Sequence, residues 1–157
     1  PKINVRTAAQ PFADRMVFIG DSGTSRLFKD GIGAAYRTAK AAATTAVFHG
    51  VSEASFKRYF LPVCKKIELD NWIGKLIFTI TRQIQRNPHD RRGILRMVSK
   101  EQMNGNVPHM SAVLWDTFTG SAPYKDIFLR SLHPGFLLNL GWEVLAGCFV
   151  FDKSKYQ

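Results

Sequence analysis

The sequence predicts a mainly helical chain with a small α/β element near its start. After residue 50, apolar residues recur at three-and-four spacing over most of the chain, which is typical of amphipathic helices. One run, Met16–Ile19, is continuously apolar and is followed by glycine, which favours a short buried strand. Glycines at positions 31 and 33 then open an alanine-rich run, which favours a helix.

These features predict a strand, a loop and a helix in sequence. We expect a parallel strand over residues 15–20, a loop over 21–30 and a helix over 31–48. In α/β folds, ligands bind outside the carboxyl end of such a strand. There the N-terminus of the following helix offers free N–H groups and the positive end of its dipole. The alternative is an ordinary strand-turn-helix in which the glycines only shape the turn.

The residue types in this loop suit a cofactor that is flat or carries phosphates. Glycine lets the backbone approach such a ligand closely and permits positive φ angles. Asp21 could accept hydrogen bonds from the hydroxyl groups of a polyol. The candidate cofactor-binding residues are therefore Gly20, Asp21, Gly31, Ile32 and Gly33.

The stretch from Arg15 to Ala35 resembles the second FAD-binding motif of the glutathione-reductase-type flavoproteins. More narrowly, it resembles the geranylgeranyl-reductase-like and aromatic-hydroxylase-like branches. Their pattern runs from arginine through an apolar strand to Gly-Asp, a loop, Gly-x-Gly and a small-residue helix. The resemblance implies that Asp21 meets the ribityl chain or the pyrophosphate of FAD. It also implies that the N–H groups of Gly31-Ile32-Gly33 approach the flavin or the pyrophosphate.

The resemblance also implies a fold and an activity. The fold is the end of a Rossmann-like FAD-binding domain, followed by a helical C-terminal region. The implied protein is an FAD-dependent oxidoreductase, either a reductase or a monooxygenase, that acts on an isoprenoid or lipidic substrate. The sequence has no Gly-x-Gly-x-x-Gly, so we expect an N-terminal remainder of the flavoprotein to hold the ADP half of FAD.

Two departures and two absences limit what the resemblance implies. Ser22-Gly23 and Lys29-Asp30 stand where the family often has Ala-Ala and a loop proline. The four histidines and two cysteines show no metal-ligand spacing, and no residue is assigned a catalytic role. In a flavoenzyme the isoalloxazine ring carries the redox chemistry, and the protein binds and orients it.

By composition the chain divides into three regions. Residues 1–50 would be the end of the FAD-binding domain, residues 51–103 a basic helical region and residues 104–157 an apolar helical region. The basic region contributes most of the net charge of +10. Its bases are Lys57, Arg58, Lys65, Lys66, Lys75, Arg82, Arg86, Arg91, Arg92, Arg96 and Lys100.

The basic region has two interpretations, one without a binding function and one with it. It is either a solvated helical face or a surface that attracts lipid headgroups or a phosphorylated ligand. Aromatic residues do not alternate with the bases, and no helix-turn-helix or zinc-finger spacing occurs, which disfavours nucleic acid. The second hypothesis for function is therefore non-enzymatic: a basic helical module that docks on a membrane surface or a partner protein.

Breakers in the sequence predict where the helices end. We expect Ser52 to cap a second helix, Pro62 to kink it or mark its division, and a further helix over 69–85. Further helices are predicted over 89–103, 110–118, 124–132 and 135–149. They are separated by breaks at Asn87-Pro88, residues 120–123 and His133-Pro134 and by a linker over 104–108, and a tail follows over 152–157. For the last helix, burial is favoured over a place in a membrane interface. The sequence begins with no signal peptide and has no apolar run of roughly 18 residues or more, which favours a cytoplasmic protein, peripheral to the membrane at most.

Overall fold

The computed structural model describes residues 5–28, 30–104 and 109–149, and the side chains of these up to residue 146 except that of residue 104. Over these residues the fold is mainly helical, with a two-stranded antiparallel sheet. The chain forms two compact units, residues 1–75 and residues 76–157. Their bounds differ from those of the three compositional regions.

The sheet in the first unit is smaller than the sequence predicts. Strand β1 (Phe12–Ala13) pairs antiparallel with β2 (Met16–Val17) around a tight turn in which Arg15 has a φ of 59°. The prediction of a buried parallel strand over residues 15–20 is wrong, because this turn brings β1 beside β2 and leaves Met16 53% exposed.

Helix α1 spans Gly31–Phe48, as the sequence predicts. It ends before Gly50, whose φ of +92° is left-handed backbone that glycine adopts without strain. The buried residues of α1 are small and recur at three-and-four spacing: Ala34, Thr38, Ala42 and Thr45. This spacing places one face of α1 against the rest of the unit.

The core of the first unit is a cluster of three phenylalanines with Ala42 and Cys64. The ring of Phe12 lies 6.5 Å from that of Phe56 and 6.4 Å from that of Phe60. Cys64 is buried in this cluster, and burial raises the pKa of its thiol. The side chain of Cys148 lies outside the described residues.

The second helical segment continues further than the breakers predict. It comprises α2 (Glu53–Ser55), a π-helical segment (Phe56–Phe60) and α3 (Leu61–Arg86). The predicted cap is confirmed, since the N–H of Ser55 donates to Ser52 Oγ over 3.2 Å. The separate helix predicted over 69–85 is wrong, because α3 continues unbroken from Leu61 to Arg86. Pro62 marks a division of the segment, as one of the two predicted alternatives has it, because α3 begins at the residue before it. The irregular π turn precedes the proline, which therefore lies in the first turn of α3, where proline is tolerated.

The described residues of the second unit form the end of α3 and four further helices: α4 (Pro88–Asn104), α5 (His109–Thr119), α6 (Tyr124–Ser131) and α7 (Pro134–Phe149). Their bounds confirm the predicted breaks at Asn87-Pro88, residues 120–123 and His133-Pro134. The predicted linker over 104–108 and the tail over 152–157 fall almost wholly outside the described residues.

Helices α4 and α7 pack directly against each other at a glycine. A Cβ built on Gly93 would lie 2.6 Å from Val144 Cγ2 and 3.2 Å from Val144 Cα. Close by in sequence, buried Glu143 of α7 forms an ion pair with Lys100 of α4. This contact buries one side of α7 only, because Leu138, Trp142 and Leu145 are 58–75% exposed. The prediction that α7 is buried therefore holds for one face and fails for the other.

Helix α4 also caps the next helix. The carboxylate of Glu101 accepts hydrogen bonds from the N–H groups of Met110 and Ser111, at 2.7 and 2.9 Å, and from Ser111 Oγ at 2.7 Å. Burial acts to raise the pKa of Glu101, but these hydrogen bonds outweigh it and hold the pKa below its usual value. A carboxylate at this place also complements the dipole of α5.

Candidate cofactor-binding site

The first half of the candidate site is a tight turn after β2. Residues Gly20–Ser22 form one turn of 3-10 helix, and Gly20 has a φ of 61°. The N–H of Gly20 donates to Thr38 Oγ1 over 2.9 Å, and a Cβ built on Gly20 would lie 3.3 Å from Ala35 Cβ. Gly20 is therefore required twice, by its left-handed backbone and by its close contact with α1.

The second half is the start of α1. Asp30 occupies the N-cap position with a φ of 66°, and its side chain makes no capping hydrogen bond. The first bond of the helix runs from the N–H of Ala34 to the carbonyl of Asp30 over 3.0 Å. The N–H groups of Gly31, Ile32 and Gly33 therefore precede the intrahelical ladder.

The surface at this helix start is open. A Cβ built on Gly31 meets nothing within 4 Å, and Ile32 is 89% exposed. Phe28 has a φ of 70°, which is unusual for a bulky residue. A strained backbone of this kind is typical of functional loops. The structure thus leaves the backbone at Gly31 accessible to a ligand.

Gly33 has a different role from Gly31. A Cβ built on Gly33 would lie 1.9 Å from Asp30 Oδ1, so only glycine leaves room for that carboxylate. Asp30 Oδ2 in turn lies 2.7 Å from Arg26 Nη1 and 2.9 Å from Arg37 Nη2. These two guanidinium groups offset the negative charge of Asp30 next to the helix N-terminus.

Helix α3 holds the loop between the two halves. Asn71 is 1% exposed, and its Nδ2 donates to the carbonyls of Val5 and Ser25 over 2.9 and 2.8 Å. Its Oδ1 accepts from the N–H of Leu27 over 2.8 Å. Next to it, Asp70 lies 3.5 Å from the guanidinium of Arg26. One buried amide thus fixes three backbone groups of two separate segments.

Sequence reasoning missed Asn71, although a signal for it exists. The buried residues of α3 are Cys64, Ile67, Asn71 and Gly74, at three-and-four spacing. A polar residue on the buried stripe of a helix indicates that its side chain has partners, because unpaired burial is costly. The sequence alone does not say that the partners are the backbone of residues 5–27.

The structure brings the five predicted site residues to one end of α1. Gly20 contacts Ala35, Asp21 follows it on an exposed turn, and Gly31–Gly33 form the first turn of the helix. The described residues contain no group of histidine, cysteine, aspartate and glutamate side chains that could hold a metal ion. An exposed carboxylate, an open helix N-terminus and glycine backbone fit the polyol and phosphate chemistry of a dinucleotide cofactor.

Comparison with known proteins identifies no relative of this chain. No family model, no curated protein and no solved structure matches the chain. Also, no helix within the described ranges combines the length and the apolar character needed to cross a bilayer. Any functional conclusion therefore depends on the motif and on the geometry of the loop.

Proposed function

We propose that residues 15–48 form part of the FAD-binding site of an FAD-dependent oxidoreductase, similar to the geranylgeranyl-reductase-like flavoproteins. One observation carries the proposal: the Gly20-Asp21 turn packs against the same end of α1 at which Gly31 leaves the backbone open. A helix N-terminus with accessible N–H groups is a ready site for a phosphate or an electron-rich ring edge.

The residues of this part of the FAD-binding site have separate roles. The N–H groups of Gly31, Ile32 and Gly33 donate to the pyrophosphate or the flavin, and Asp21 accepts from ribityl hydroxyl groups. Gly20 and Asn71 hold the two loop segments in place. When bound, FAD supplies the redox chemistry, and this chain positions it. We propose that a Gly-x-Gly-x-x-Gly motif outside this sequence would hold the ADP half of FAD, as in the family that the chain resembles.

The substrate class follows from the resemblance. We propose reduction or monooxygenation of an isoprenoid or lipidic substrate, for which the flavin would supply the redox chemistry. Flavin absorbance of the purified full-length protein tests the class directly. A colourless protein that binds no added FAD would contradict the proposal and favour the non-enzymatic hypothesis.

Replacing Gly31 by valine should remove the cofactor without unfolding the protein. The new side chain meets no protein atom within 4 Å of its Cβ, but it covers the N–H groups at the start of α1. We expect FAD affinity in the full-length protein to fall while the melting temperature stays within about 2 °C, as for a surface change of a few tenths of a kcal/mol. Both quantities are measured on the same sample.

Gly33→Val is the matched comparison for Gly31→Val. It places a side chain on the Asp30 carboxylate and disturbs the ion pairs with Arg26 and Arg37, so both FAD affinity and melting temperature should fall. If Gly31→Val retains FAD with unchanged affinity, the helix start does not contact the cofactor.

Replacing Asp21 by alanine should weaken FAD binding with little effect on the fold. Hydrogen bonds to a charged group contribute about 1.5–3 kcal/mol, which corresponds to roughly ten- to a hundredfold in affinity. Asp21 is exposed, so its removal leaves no buried partner unpaired. Asp14→Ala, at another exposed aspartate of the first unit, controls for the loss of one negative charge. Equal affinities of the two variants would refute the role of Asp21.

A further inference from the structure

The side of α7 that faces away from α4 is apolar and exposed. Leu138 is 75% exposed, Trp142 69% and Leu145 58%. Their spacing of four and three residues places them on one face of the helix, with Gly141 between them. We call these four residues the outer face of α7. The packed side, with Glu143 and Val144, lies against α4.

The outer face carries no charge, but the same unit carries many bases. The acid in this part of α7, Glu143, is buried and paired with Lys100. The end of α3 and the helix α4 contribute five arginines, of which Arg82, Arg86 and Arg91 are exposed. A cationic unit with an uncharged apolar helix face is suited to a surface that offers both negative charge and an apolar layer.

We propose that the outer face of α7 docks onto an anionic phospholipid bilayer. Trp142 takes the headgroup level, where tryptophan is favoured, and Leu138 and Leu145 enter the boundary with the acyl chains. The net charge of +10 attracts the protein to the phosphate surface, and salt screens this attraction over about 8 Å at physiological ionic strength.

Charge favours this partner over a second copy of the chain. The net charge of +10 makes two copies repel each other, and the repulsion is strongest at the low salt at which attraction to an anionic surface is also strongest. The inference does not depend on FAD, since it concerns residues of the second unit only.

Cosedimentation with vesicles tests the proposal. The probes are vesicles of equimolar phosphatidylglycerol and phosphatidylcholine, and vesicles of phosphatidylcholine alone. We expect the protein to pellet with the anionic vesicles at low salt and to be released at high salt. Leu138→Glu should weaken this binding at least about tenfold, because a leucine that enters the boundary is replaced by a charge.

Val47→Glu is the control variant. Val47 is 74% exposed on α1, so the substitution makes the same change of charge at a similarly exposed site outside the second unit. Unchanged melting temperatures show that both variants fold. Docking by α7 requires that Leu138→Glu weakens binding clearly more than Val47→Glu.

Three results would overturn the proposal. The protein could stay in the supernatant with anionic vesicles at low salt, or the two glutamate variants could bind equally. Alternatively, lipid-free sedimentation could show a dimer that Leu138→Glu dissociates, which would assign the outer face to a second copy.

Discussion

Replacing Asn71 by leucine should destabilise the first unit by about 3–5 kcal/mol, a large part of the 5–15 kcal/mol that is typical of a folded domain. The substitution leaves two backbone carbonyls and one backbone N–H without the partner that Asn71 supplies at a position 1% exposed. A buried polar group that loses its partner costs about 1–3 kcal/mol. The bond to Val5 is buried and those to Ser25 and Leu27 are part-buried, so the expected total is below three full costs. Urea denaturation followed by circular dichroism measures the change.

Asn139→Leu makes the same substitution at an exposed position of α7. It should change the free energy of unfolding by no more than about 0.5 kcal/mol. Equal effects of the two substitutions would mean that the hydrogen bonds of Asn71 contribute nothing to stability. Asn71 also bonds to Ser25 and Leu27, in the loop between Gly20 and Gly31. If this loop positions FAD, Asn71→Leu lowers FAD affinity as well.

Replacing Gly93 by alanine should destabilise the second unit, although the same change usually stabilises a helix. Alanine in place of glycine normally gains about 0.5–1 kcal/mol inside a helix. At Gly93 the added Cβ would lie 2.6 Å from Val144 Cγ2 and 3.2 Å from two backbone atoms of α7, so α4 and α7 must move apart. Overpacking of this kind costs about 1–3 kcal/mol, and Gly93→Val should cost more than Gly93→Ala.

Gly141→Ala, in the helix that Gly93 contacts, should change the stability of the second unit in the opposite direction. A Cβ built on Gly141 meets nothing within 4 Å, so the propensity gain is not offset. We expect a higher melting temperature for Gly141→Ala and a lower one for Gly93→Ala, both read by circular dichroism. A gain for both variants would show that α4 and α7 do not approach as closely as Val144 and Gly93 indicate.

The helices could be predicted because their signals are local. Ser52, Gly50 and Pro88 mark helix ends through caps, a left-handed backbone and a missing N–H, which act within one turn. Pro62 marks the division between the π turn and α3, whereas the helix predicted over 69–85 is the continuation of α3. The prediction of a buried parallel strand over residues 15–20 is wrong for a related reason: an apolar run of a few residues does not reveal which segment it pairs with.

The candidate site was predictable only in part, for the same reason. The glycines and Asp21 stand out because they follow an apolar run in the order and spacing of a known motif, which is visible within one short stretch of sequence. The roles of Asn71, Arg26 and Asp70 depend on contacts between segments about 40 residues or more apart in sequence, such as the 2.8 Å bond from Leu27 to Asn71. No periodicity in a single sequence encodes such a distance. The same holds for Gly93, whose need for glycine comes from Val144 on another helix.

Because Asp30 contacts Gly33, the residue at either position limits which substitutions the other can accept. Since the Asp30 carboxylate fills the space that a side chain at residue 33 would occupy, a larger residue there becomes acceptable only after position 30 has become smaller. Losing Asp30 first would leave Arg26, whose side chain is 4% exposed, with Asp70 as its remaining carboxylate in this contact. Among descendants of this gene, changes at 30 and 33 should therefore arise together, and a lineage that keeps Asp30 should keep Gly33.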